Sequence, residues 1–73
     1  MMTRNELLHT LKRMGVSPMF YNLDGEGRMD ERFCLEFTNG EWYVYVIERG
    51  TKTTNERFES EEDACQFIYE QFC

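Results

Sequence analysis

The chain has 73 residues, fourteen acids against eight bases, a formal net charge of −6 and 41% hydrophobic residues. A chain this short buries only about 60% of its unfolded surface, which predicts one domain over residues 1–73 with a thin core and no room for a deep catalytic cleft. Its acidity argues against binding nucleic-acid phosphates and favours a basic protein partner.

Thr3-Arg4-Asn5-Glu6 has the spacing of a capping box, in which Thr3 and Glu6 satisfy each other's orphan amides at a helix start. Leu7, Leu8, Leu11 and Met14 follow at helical spacing, predicting a helix from about Arg4 to Met14. Gly15 suits the position just past its end, and Pro18 blocks continuation. His9, Lys12 and Arg13 lie off the apolar stripe and should face water. The stretch Met19 to Leu23 reads as a first strand. Asp24-Gly25-Glu26-Gly27 reads as a turn, with loop character continuing to Glu31.

The most informative stretch runs from Arg32 to Glu48. Asn39-Gly40 at its centre is the preferred pair for a two-residue type I′ turn, where both residues take positive φ. Folding there pairs Phe37 with Trp42, Leu35 with Val44 and Phe33 with Val46 on one apolar face. Glu36 with Tyr43, Cys34 with Tyr45 and Arg32 with Ile47 then share the other, mixed face. Arg49-Gly50 makes a second turn. Thr51 to Phe58 is polar, with Phe58 its only large apolar residue, and suits an edge strand protected by Lys52 and Arg57. Ser60 caps a final helix whose first turn holds Glu61, Glu62 and Asp63, where the helix dipole favours negative charge. Ala64, Phe67, Ile68 and Phe72 form its apolar stripe.

The expected fold is therefore α+β: helix, three- or four-stranded antiparallel meander, helix. Both helices should pack on one face of the sheet, over Phe33, Leu35, Phe37, Trp42, Val44 and Val46.

Catalytic chemistry finds little to work with. His9 is the only histidine and has no nucleophile or orienting carboxylate beside it except surface partners on its own helix. Asp24, Glu26, Asp30 and Glu31 gather carboxylates around two glycines, but an EF-hand loop needs a Glu at its twelfth position, and the twelfth residue from Asp24 is Leu35. Gly25-x-Gly27 lacks the third glycine and the following helix of a nucleotide loop. Cys34, Cys65 and Cys73 are odd in number and lack metal-ligand spacing, so they read as free thiols in a reducing, cytoplasmic compartment. Cys65, beside the apolar stripe, reads as a small core residue. No secretory leader is visible, and no run approaches the ~20 apolar residues of a membrane span. The expectation is a cytoplasmic protein that is not an enzyme, with no cofactor, no metal site and no membrane attachment.

Tyr43, Tyr45 and Ile47 lie on the hairpin face that the helices should leave open, with Glu36 beside them. Tyrosine offers apolar area with a hydrogen-bonding tip and is favoured at interfaces. The same residues could instead only stabilise the sheet by cross-strand packing.

The succession Tyr21-x-Leu23-Asp24-Gly25, Glu31-Arg32-x-Cys34-Leu35-Glu36, Gly40-x-Trp42-x-Val44-Tyr45-x-x-Glu48-Arg49-Gly50 and Phe58-x-Ser60-Glu61 with Ala64-Cys65 resembles small bacterial immunity proteins. These are encoded beside polymorphic toxins, including those of contact-dependent inhibition systems. The resemblance spans Tyr21 to Cys65 and implies stoichiometric occlusion of a cognate toxin, for example a nuclease with a basic active site. In that role Tyr43 and Tyr45 would anchor the complex, with Ile47 beside them on the partner-binding face. Glu36 and the acidic lobe of Asp24, Glu26, Asp30 and Glu31 would steer association. Two other readings stand beside it. One is a small structural or regulatory protein that dimerises through the Tyr43-Tyr45-Ile47 face, making the chain a monomer or weak homodimer. The other is an inhibitor whose carboxylates mimic nucleic-acid phosphates, which predicts inhibition that falls steeply with salt.

Overall fold

A computed structural model describes residues 2–25 and 30–73. Thr3 opens helix α1 (Arg4–Arg13) with both halves of the capping box: its hydroxyl accepts from the Glu6 amide at 3.2 Å, and the Glu6 carboxylate accepts from the Thr3 amide at 3.3 Å. Gly15, at φ +81°, takes the left-handed conformation that lets the chain leave the helix. Pro18 then starts a single 3-10 turn (Pro18–Phe20), because its fixed φ suits a helical first position. Ser17 caps this turn by accepting from the Met19 amide. Only Tyr21–Asn22 of the expected Met19–Leu23 strand survives, as β1.

Strands β2 (Phe33–Thr38), β3 (Glu41–Glu48) and β4 (Thr51–Phe58) complete a four-stranded sheet in the order β1-β2-β3-β4. The β2–β3 hairpin forms in the register that alternation and Asn39-Gly40 predict: Phe33 opposes Val46, Leu35 opposes Val44 and Phe37 opposes Trp42. Asn39 and Gly40 hold φ of 52° and 78°, and Arg49 and Gly50 repeat the pattern at 52° and 80°.

Two expectations about the sheet need correcting. The antiparallel meander holds only for β2 to β4, because β1 runs parallel to β2, with Tyr21 opposite Phe33 and Asn22 opposite Cys34. β1 and β2 enter the sheet from the same end, a pairing that a tight turn cannot connect. Nor does Arg32 pair with Ile47. Glu31 sits at φ 60°, bending the chain so that Asp30 bridges Ile47 in parallel and the Glu31 amide donates to the Ile47 carbonyl at 2.6 Å.

Ser60 accepts from the Asp63 amide at 3.1 Å and starts α2 (Glu61–Phe72). This helix lies over β3 and β4 and against α1. Glu61 ties the two helix starts together, its carboxylate accepting from the Arg4 amide at 2.8 Å. Leu7 and Leu11 from α1 meet Ala64, Cys65 and Ile68 from α2 over Tyr21, Leu23, Leu35 and Val44. Burying each such leucine is worth roughly 1.5–3 kcal/mol. Phe58 against Phe67 and Phe33 against Phe72 extend this core at 5.4 and 5.5 Å between ring centroids.

Phe37 is not part of that core, contrary to its inward position in the alternation. It is 57% exposed. The two residues of β1 flank only Phe33 and Cys34, so no described residue continues the sheet beside Phe37, which has Trp42 as its cross-strand neighbour.

Candidate functional site

Alternation sends Glu36, Tyr43, Cys34 and Tyr45 to the sheet face opposite the core, and the register confirms that they are paired there. Their burial divides this face. Cys34 and Tyr45 are 1% and 4% exposed, and Asn22, beside Cys34 in the parallel pair, is 5% exposed. The middle of the face is thus closed by the chain itself, and Tyr45 offers almost no surface to a partner. Part of its cover is Lys52, whose ammonium lies 4.4 Å from the Tyr45 ring centroid. A β-bulge places it there: Val46 opposes Thr54 but Ile47 opposes Lys52, so Thr53 is the extra residue and Lys52 takes the position on the Tyr45 side.

The hairpin tip is open. Tyr43 is half-buried and Glu36, opposite it, is exposed. The Tyr43 hydroxyl donates to one Glu41 oxygen at 3.0 Å, while Arg57 holds the other at 2.9 Å. This carboxylate fixes the phenol and, through that hydrogen bond first, pushes the Tyr43 pKa above its usual value. Burial raises the Tyr45 phenol and the Cys34 thiol, and the Glu36 charge adds to both effects. Around the tip, exposed Phe37 packs its ring on half-buried Trp42 at 4.7 Å between centroids.

The acidic lobe divides similarly. Asp30 and Glu31 are exposed beside half-buried Ile47, brought there by the bridge to β3. Asp24 is exposed in the turn after β1, where the buried Asn22 side chain accepts from the Gly25 amide at 2.9 Å. Glu26 lies outside the described residues. The structure therefore sets Glu36 and Tyr43 at one end of the outer face and Ile47, Asp30 and Glu31 at the other, with Tyr45 sealed between them.

His9 is exposed on α1. Cys65 is fully buried, and burial, with the Glu61 charge, pushes its thiol up to about 11. Among the described residues no three His, Cys, Asp or Glu side chains group in a way that could hold a metal ion. Among the described residues no helix is long and apolar enough to cross a membrane.

Phe37 is the tip residue that alternation misassigned. Its place two residues before Asn39-Gly40 was the available clue, since a hairpin end can overhang a short core. No protein family, curated protein or solved structure matches the chain.

Proposed function

We propose that this chain is a non-enzymatic binding module, an immunity protein that neutralises a cognate bacterial toxin by stoichiometric occlusion, and that the hairpin tip is its main contact surface. The observation that carries the reading is Phe37, a large aromatic left 57% exposed. It shares the core-side face of the hairpin tip with Trp42, while Glu36, Glu41 and Tyr43 lie on the opposite face of the same tip. A basic partner that wraps the tip would meet rings on one side and acids on the other: the acids raise the encounter rate, and the desolvated rings slow dissociation. Tyr43, already held by Glu41, loses little freedom on binding. The net charge of −6 acts in the same direction at long range.

Co-expression with the product of the adjacent gene tests this directly. The expected result is a one-to-one complex and protection from toxicity, both lost on Phe37→Ala with Tyr43→Ala. A neighbour that is no toxin, together with no protection on co-expression, would sink the proposal. Sedimentation at micromolar concentration separates it from dimerisation through the same face. A phosphate mimic would instead lose inhibition steeply with salt while tolerating loss of the rings.

A further inference from the structure

A cleft of about 440 Å³ lies between α1, the 3-10 turn and β1, away from the hairpin tip. Arg4, Leu8 and Lys12 are spaced four residues apart and so share one face of α1, which forms one wall. Arg32, Tyr21 and Leu23 contribute from the sheet side. In a chain of net charge −6, three cationic residues thus line one cleft, and Asp24 is the one carboxylate among the described residues of its walls. Among the described residues none of the three cations is ion-paired. Arg32 only donates through one guanidinium nitrogen to the Pro18 carbonyl, at a long 3.5 Å.

Tyr21 adds an independent observation. It is 5% exposed, and its hydroxyl is buried without a hydrogen-bond partner among the described residues. Buried hydroxyls are normally satisfied, and Tyr21 is among the residues lining the cleft, so a small movement of that wall would give its hydroxyl an acceptor there. The size falls within the range of small-molecule sites, and Leu8 and Leu23 give it an apolar lining.

We propose that this cleft binds a small organic oxyanion, a phosphate or carboxylate carried on an apolar body. Arg4, Lys12 and Arg32 neutralise the anionic group, Arg32 through its forked donors. Leu8 and Leu23 cover the apolar part, and the Tyr21 hydroxyl donates to a ligand oxygen.

Phenyl phosphate and benzoate, titrated into the isotopically labelled full chain and followed by amide chemical shifts, test the assignment against sodium chloride and inorganic phosphate. A saturable response to either organic anion, centred on Arg4, Leu8, Lys12 and Tyr21, is expected. The stronger of the two identifies the oxyanion. The double variant Lys12→Gln with Arg32→Gln should weaken binding by about tenfold or more, and Tyr21→Phe, which keeps the ring, by a few-fold. The same spectra report whether each variant is folded. Drift matched by sodium chloride, saturable shifts elsewhere on the molecule, or affinity unchanged in the folded double variant would overturn the site. Inorganic phosphate binding as tightly as phenyl phosphate would overturn the organic part of the ligand.

Discussion

Phe37 and Trp42 face each other across the β2–β3 hairpin with ring centroids 4.7 Å apart, yet Trp42 is half-buried while Phe37 is 57% exposed. The pair joins the folded core to open surface, since Trp42 also opposes Phe58, whose ring meets Phe67 of α2. Such a pair lets stability and binding be separated by mutation.

Phe37→Ala should cost less than about 1 kcal/mol in urea unfolding, as an exposed substitution does. Leu11→Ala, at a fully buried position, should cost about 2–5 kcal/mol. Partner capture should show the reverse order when both variants are assayed folded. A Phe37→Ala variant that unfolds as readily as Leu11→Ala would contradict the exposed placement.

Gly40 lies at φ +78° in the hairpin turn, and a Cβ added there would meet nothing within 4 Å. Gly40→Ala should therefore destabilise by about 1–2 kcal/mol through the left-handed backbone alone, with no clash. Gly40→Asn should recover part of that loss, because Asn tolerates this conformation. Thermal unfolding of the two variants checks the order.

Lys52 packs over the Tyr45 ring, so Lys52→Ala should cost about 0.5–1 kcal/mol. Lys52→Arg should be close to neutral. Deleting Thr53, the extra residue of the bulge, leaves Lys52 opposite Ile47 on the Tyr45 side, so it should cost less than Lys52→Ala with Thr53 deleted as well. Urea midpoints for these variants separate the ring contact from the bulge.

Alkaline pH should weaken the fold. The Cys65 thiol is pushed from an ordinary value of 9.0 to about 11, and Cys34 and Tyr45 are raised by burial in the same direction. The folded protein keeps these groups neutral where the unfolded chain ionises. Their contribution is fully present below about pH 9 and is lost as pH rises toward about 11. The urea midpoint should fall across that window. At neutral pH a thiol reagent should modify exposed Cys73 and leave Cys34 and Cys65 intact until denaturant is added. Rapid native labelling of Cys65 would contradict its burial.

Much of the local chemistry was legible. The capping box at Thr3 and Glu6, the Ser60 cap, the Asn39-Gly40 and Arg49-Gly50 turns and the β2–β3 register each depend on residues a few positions apart. The candidate surface was legible in part. Alternation correctly placed Glu36, Tyr43 and Tyr45 on one face, but a face is not an exposure.

Which residues of that face stay open depended on tertiary structure. β1 pairs parallel to β2 over two residues, which leaves Phe37 without a flanking strand among the described residues. A one-residue bulge laid Lys52 on Tyr45, and the turn at Glu31 carried Asp30 to Ile47. The cleft brings Arg32 to Arg4 and Lys12 across a span no periodicity connects. Caps, turns and pairing periods are short-range properties that the sequence determines by itself. Exposure and convergence depend on where distant segments land, and only the packed molecule decides that.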